Sequence, residues 1–508
     1  MLKNILSVGG FTLLSRITGF LRDVVMAAVM GTGLVADAFV VAFRLPNHFR
    51  AIFGEGAFNS AFVPSYARLR ERGQTAAAEI FANGLMTVML AVQLVILVAA
   101  YVAMPWLVRL LAPGFEADPA KFELAVTLTR ITFPYLLFIT LVTLVSGKLN
   151  AVDRFAAAAG APVLLNLSLI AALAVAYLFP TAGHAAAVGV AVAGVLELAL
   201  VLVAAERAGI GARFGRPRRD ADMTVFLKAL GPAIIGSAGV PIAVFADTIL
   251  ASLLPSGTVA SMWYAERLYQ LPVGVVGIAV GTVVLPTMSR KIAAGDVAGA
   301  HASQNRAMAL TLALAAPFAV GFCLVPDLIM LALFRRGAFT SSDAAAAGAI
   351  LAAYAVSIPA TVLIRSAVAS FFSRSDTTTP LIASLVAVAV NVALKIVLVR
   401  PLGGAGLALA TAAGAWLNVF LLCVLAHRRD WMSFSPEFGR TVAAVVVASI
   451  ALAFAIFLLA PASVAITAHV SAWREGIQLA LIAVGGGIVY GGVLFAMLKM
   501  LKVNLRRM

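Results

Sequence analysis

Residues 5–30 read ILSVGGFTLLSRITGFLRDVVMAAVM. Apart from Arg16, Arg22 and Asp23 the run is uncharged, and it is long enough to cross hydrocarbon as a helix. Each charged residue at mid-bilayer costs roughly 2.5–3.5 kcal/mol on insertion scales, so the trio costs about 8–10 kcal/mol unless something compensates. A spanning helix that keeps such residues must turn them toward partners or toward a polar cavity. The stretch therefore sets both questions for the chain, its fold class and the use made of its intramembrane charge.

The composition answers the first. Of 508 residues 62% are hydrophobic and 12% charged, with a mean hydropathy of +1.03, far from a soluble globular average. The apolar runs are continuous rather than alternating, which excludes a transmembrane barrel and predicts an all-α polytopic membrane protein. Runs bounded by Gly, Pro or charge predict fourteen spans near 5–30, 34–51, 78–104, 123–146, 158–179, 185–205, 224–253, 262–285, 306–325, 345–371, 380–399, 404–426, 440–461 and 476–498. No small-residue cleavage site follows the first run, so it reads as a retained helix.

With the N-terminus placed in the cytoplasm, 23 Lys and Arg fall on the cytoplasmic side, 7 on the outer side and 7 within spans, accounting for all 37. That bias satisfies the positive-inside rule with both termini inside. It also explains the formal charge of +15 without nucleic acid as a partner. Cys323 and Cys423 lie in apolar runs and predict no disulfide. The five histidines show no metal-ligand spacing, so neither a metal nor a cofactor is expected.

The chain repeats itself at a shift of about 223 residues. RDVVMAAVMGTGLVADAFVVAFRLPNHFRAIFGEGAFNSAFVPSYAR at 22–68 runs parallel to ADTILASLLPSGTVASMWYAERLYQLPVGVVGIAVGTVVLPTMSR at 246–290, anchored on Asp23 with Asp247, AFRL with AERL, and FVPSYAR with VLPTMSR. Two copies of six spans imply a parallel repeat, with lobes at 1–210 and 211–430 and two further spans in 431–508. Residues 206–222 read as the basic cytoplasmic linker between lobes, and 57–72 as a helix lying at the cytoplasmic face.

The two copies differ in charge. Arg16, Arg22, Asp23, Asp37, Arg44, Arg50 and Glu55 crowd the first, while the second keeps Asp247, Glu266 and Arg267. Arg16 and Asp23 are seven apart, as are Asp37 and Arg44, so each pair shares a helix face. Asp23 and Asp37 read as halves of intramembrane salt bridges, Asp23 with Arg16. For Arg44, Arg50 and Glu55 an interfacial position with snorkelling side chains is the competing reading. The arginines outnumber the nearby acids, and surplus guanidinium in a water-accessible cavity suits a phosphate or carboxylate ligand. Asp247 and Asp376 have no obvious arginine; they are candidates for coupling a monovalent cation or proton, against a helix cap for Asp376 and a polar interhelical contact for Asp247. Arg365 and Lys395 are expected to snorkel. No phosphate loop, H-E-x-x-H or G-x-S-x-G motif is present, so no enzyme and no ATP-driven pump is expected.

SRITGFLRD at 15–23, followed by ADAFVVAFRLPNHFRAIFGEGAFNSAFVP, resembles the signature of the MurJ (MviN) lipid II flippases, and YAERLYQLPVGVVGIAVGTVVLP at 264–286 resembles the family's second signature. The likeness covers essentially the whole chain. It implies membership of the multidrug/oligosaccharidyl-lipid/polysaccharide (MOP) exporter superfamily, with two six-helix lobes around a cavity and two extra C-terminal helices forming a groove for the polyprenyl tail. The implied load is lipid II, the undecaprenyl-pyrophosphate-linked peptidoglycan precursor, moved across the bacterial inner membrane, with membrane lipids and cell-wall synthesis proteins as further partners. Arg16, Arg22, Asp37, Asn47, Arg50, Glu55 and Arg267 keep the family's residue type; Arg44 stands where some relatives have lysine and Glu266 where others have aspartate, both preserving charge. The resemblance thus implies a substrate site built from these nine residues. The alternatives are a drug/cation antiporter or lipid-linked oligosaccharide flippase of the same superfamily, or a non-transporting scaffold for cell-wall enzymes.

Overall fold

The computed structural model describes residues 2–50, 58–218, 220–237, 239–470 and 473–503, with the side chains of 2–8, 48–50, 233–242, 278–280 and 282 outside the described set. Glu55 and the side chain of Arg50 therefore lie outside it. All regular structure among the described residues is helical. By contacts the chain divides into two compact units, Met1–Ala260 with Gly337–Phe339, and Ser261–Arg336 with Thr340–Met508.

The first unit holds α1 (Leu2–Met30), α2 (Leu34–Arg50), α3 (Phe58–Glu71), α4 (Thr75–Leu111), α5 (Pro119–Thr132), α6 (Tyr135–Asn150), α7 (Ala156–Ala174), α8 (Ala182–Arg207), α9 (Ala221–Ser237) and α10 (Gly239–Ser252). Here α7 packs on both α8 and α1, α6 on α8, and α2 on α5. Small residues permit the close approaches: a Cβ on Gly189 of α8 would stand 2.8 Å from that of Ala172 on α7. In a bilayer, where apolar surface gains nothing by leaving lipid, such contacts carry helix association.

α3 is the amphipathic helix expected at 57–72. Its buried residues Phe58, Ala61, Phe62, Ser65, Tyr66 and Leu69 follow one helical face. Phe62 stacks on Phe58, Tyr66 and Phe81, and Phe226 of α9 meets Phe58 edge-on at 5.6 Å. α9 and α10, which belong to the second copy of the sequence repeat, thus pack within the first compact unit. Beneath α3, Glu79 accepts from the Tyr66 hydroxyl and from Lys148 Nζ, the latter at 2.7 Å. Burial and the adjacent Glu79 carboxylate push the Tyr66 phenol up. Lys148, counted from sequence among the cytoplasmic loop cations, is instead fully buried on α6 and also donates to the Gly211 carbonyl. The linker after α8 is fixed as well. Arg213 N donates to Asn83 Oδ1, and Gly215 N to the Asn83 carbonyl and Thr87 Oγ1.

The second unit holds most of α11 (Thr258–Ala293), then α12 (Val297–Leu324), α13 (Pro326–Phe334), α14 (Ser341–Ala355), α15 (Ile358–Phe372), α16 (Thr378–Arg428), α17 (Pro436–Ile466) and α18 (Arg474–Met500). α17 packs on α18 and α12, and Tyr490 of α18 donates to the Ala313 carbonyl. α16 bends at Gly403 (φ 54°, ψ −135°), which divides it where the sequence separates spans 380–399 and 404–426. Among the described residues nine helical segments are long and apolar enough to cross a membrane, the bent α16 being one of them. The other expected spans correspond to α1, α2, α9 with α10, and α11.

The repeat is visible in the breaks. α5 gives way to α6 at Phe133 and Pro134, and α14 to α15 at Val356 and Ser357, positions 223 residues apart. All four residues keep right-handed helical backbone angles, so each break is a lapse in hydrogen bonding rather than a turn. Pro134 and Pro359 supply the cause, since neither can donate to the preceding turn.

Candidate functional site

The charges of α1 separate into two classes. Arg22 is buried; its Nε and Nη2 donate to Asp23 Oδ1 at 3.1 and 2.8 Å, its Nη1 to Asn166 Oδ1 at 3.0 Å, and its guanidinium lies 5.8 Å from the Phe43 ring centroid. Asn166 of α7 completes the cluster by donating to the Ser15 carbonyl and to Thr18 Oγ1. Gly19 faces it, and a Cβ there would come to van der Waals contact with Asn166 Nδ2 at 3.4 Å. The partner of Asp23 is thus its neighbour Arg22 and not Arg16. Asn166 on α7 holds one arm of the Arg22 guanidinium while the other two nitrogens reach Asp23. Arg16 is exposed, and its side chain makes no ion pair or hydrogen bond with a described residue.

On α2, Asp37 is 0% exposed and has protein partners on both oxygens. Oδ2 accepts from Lys121 Nζ at 2.6 Å and from Gly257 N at 2.7 Å, and Oδ1 from Ala260 N at 2.8 Å. Those amides open α11, so the carboxylate caps a helix start, where unsatisfied N–H groups and the positive dipole end favour an anion. Lys121 Nζ also donates to Ser256 Oγ and stands 4.2 Å from the Phe115 ring centroid. The Asp37–Arg44 stripe expected from the seven-residue spacing is replaced by this arrangement. Arg44 is buried and donates to Thr248 Oγ1 at 2.7 Å. Asn47 is half-buried further along α2, and Asp247 is buried on α10.

In the second unit Arg267 lies over Trp263, its guanidinium carbon 4.0 Å from the ring centroid, and Gln270 links it to Glu266, accepting from Arg267 Nη1 and donating to Glu266 Oε1 at 2.8 Å. Asp376 does have an arginine: Arg429 Nη1 donates to it at 2.7 Å, and Thr379 N and Oγ1 donate at 2.9 and 2.7 Å. The helix-cap reading of Asp376 describes these contacts, and the unpaired acid does not. Lys395 does not snorkel. It is fully buried on α16, one turn from buried Asn391. Arg365 is exposed and packs beside Gly277 of α11.

Lys121 and Asn166 are the residues that sequence reasoning missed. Asn166 left a signal, a lone amide inside LLNLSL of an apolar span. Lys121 left none, because its partner lies 84 positions earlier.

The family model "Lipid II flippase MurJ" matches residues 26–498. The "Probable lipid II flippase MurJ" of Rhizobium meliloti is 42% identical over 456 residues, covering 89% of this chain and 85% of that protein. The "Lipid II flippase MurJ" of Burkholderia cenocepacia is 33% identical, covering 89% of each. Among solved structures, "Lipid II flippase MurJ, inward closed conformation" superposes with a TM-score of 0.81 at 24% identity, over 97% of this chain and 99% of that one. A multidrug resistance MATE family transporter of the MOP superfamily superposes with a TM-score of 0.69 at 15% identity, over 84% of this chain and 97% of that one. These two show the fold, and the sequence matches show that the chain belongs to the MurJ family of lipid II flippases.

Proposed function

We propose that this chain carries lipid II from the inner to the outer leaflet of the bacterial plasma membrane, and that Arg16 meets the pyrophosphate of the load. The observation that carries the assignment of Arg16 is the contrast along α1. Arg22 has its charge matched by Asp23, while Arg16, exposed on the same helix, has no ion-pair partner among the described residues. Unmatched guanidinium is what a dianionic headgroup needs, because the planar fork can present two N–H groups to one phosphate. Arg22, Asp23 and Asn166 then act as the brace that fixes the helix around it, and Arg44 and Asp37 as framework. Arg267, over the Trp263 ring, is a further proposed contact for the anionic load. Asn47, Arg50, Glu55 and Glu266 are proposed contacts on the strength of the family signature.

An inside-negative potential favours outward movement of an anion by about 2.3 kcal/mol per charge per 100 mV, so two charges crossing the full field gain roughly 4–5 kcal/mol. The potential is the proposed driving force, with both termini cytoplasmic. The test is reconstitution with labelled lipid II and a leaflet-specific probe. Arg16→Ala should abolish translocation while insertion into liposomes is unchanged; full transport by that variant sinks the anion-site reading. Collapsing the potential should slow turnover, and unchanged turnover would point to an ion gradient instead.

A further inference from the structure

Between the α6–α7 turn and the last turns of α8 lies a groove of about 660 Å³. Leu149, Val152, Leu200 and Val203 give it an apolar floor, and Arg154 and Arg207 line its rim. Asp153, also at the rim, adopts a left-handed φ of 58°, which reverses the chain so that Arg154 follows directly into the groove wall. Both arginines are exposed, and neither side chain makes an ion pair or hydrogen bond with a described residue. Two positive charges against one negative leave the rim cationic.

Below Arg207 one face of α8 exposes Val203, Ala199, Leu196 and Val192, spaced by about one turn, with Val195 beside Leu196 on the same stripe. From Val192 to Arg207 the stripe spans about 22 Å at the helical rise, more than the ~15 Å of hydrocarbon in one leaflet. The bias in basic residues places the Arg207 end at the cytoplasmic surface. A cationic rim over an apolar floor that runs on into lipid-facing surface has the outline of a membrane lipid with a phosphate head. Arginines serving only the positive-inside rule would need no groove, and a soluble anion would need no stripe.

We propose that this groove seats one anionic glycerophospholipid of the cytoplasmic leaflet, its phosphate between Arg154 and Arg207 and an acyl chain along the α8 stripe. Basic pockets between spanning helices on the cytoplasmic side are suited to such heads. The seat shares no residue with the α1 cluster, so it stands or falls independently of the proposed load.

Native mass spectrometry of the full chain, offered equimolar phosphatidylglycerol and phosphatidylethanolamine, tests it. The wild-type chain retains phosphatidylglycerol in preference. Arg154→Gln or Arg207→Gln lowers that preference about fivefold and the double variant about twenty-five-fold. Val203→Trp, which fills the groove with both arginines intact, also lowers it, whereas Arg213→Gln in the linker leaves it unchanged. An unchanged preference in the double variant, or an equal loss in Arg213→Gln, would mean diffuse surface charge and overturn the seat. Displacement of the retained lipid by equimolar lipid II would assign the groove to the load and overturn it as well.

Discussion

Asp37 and Asp376 each accept a backbone N–H near a helix start and each hold a cation, Asp37 fully enclosed and Asp376 partly open to solvent with a side chain 19% exposed. Asp37 is enclosed with Lys121, which is itself 5% exposed, and together they join α2, α5 and the start of α11. Asp376 shares Arg429, whose side chain is 42% exposed, and joins the α15–α16 turn to the C-terminal end of α16. The hydrogen-bond chemistry is nearly the same, so the difference isolates the surroundings. In a membrane interior an ion pair stabilises little by existing, but losing one member leaves a charge with nowhere to go. At the surface, water replaces whatever is removed.

The sharpest break of that contrast is Lys121→Met. With Asp37 stranded among backbone amides, thermal unfolding in detergent should show a loss of about 3–5 kcal/mol, and Asp37→Asn in the same chain should recover a large part of it. A loss below about 1 kcal/mol would mean that the buried pair holds nothing together. Asn166→Leu comes next. It removes the amide that Arg22 and α1 share, at a cost of about 1–3 kcal/mol by the same measurement. Asp376→Ala removes a cap at the surface and should cost about 1 kcal/mol. The smallest effect is that of pH through Asp376. The Thr379 N–H and hydroxyl, with Arg429, hold its carboxyl below the ordinary carboxylate range. Its contribution is therefore complete above the unfolded value and disappears as pH falls through the depressed one. Stability followed from pH 5 down to pH 3 should thus lose under about 1 kcal/mol from this group, and Arg429→Gln should shrink that loss further.

How far the sequence could be read depended on whether a feature was local. Helix α3, the linker ends at Arg207 and Ala221 and the bend at Gly403 were legible within a residue or two, because amphipathic spacing, charge and Gly–Pro punctuation are written where they act. The repeat was legible for the same reason, and the paired breaks at Pro134 and Ser357 fall on its shift. Partner choice was not. Counting cations by the nearest loop put Lys121 and Lys148 in water, yet Asp37 and Glu79 draw them into the protein from 84 and 69 positions away. Helical spacing paired Asp23 with Arg16, and a single amide on α7 changed that. The substrate came from the family signature, while the distinction between a matched Arg22 and an unmatched Arg16 arises only in the packed fold, where α7 brings Asn166 to α1.

The stapled linker has a consequence for how the chain can be divided. Residues 209–218 are irregular and carry the exposed Arg213, Arg216 and Arg218, the profile of a site that proteases cut. Yet three hydrogen bonds fasten the segment to α4, and just beyond it α9 is already docked on α3 through Phe226. The peptide bonds joining the two sequence copies are then not what keeps the second copy's first helices in place. A molecule opened at Arg216 should stay assembled, and the two pieces made as separate polypeptides should find each other in the membrane, with α9 as the plug and α3 as the socket.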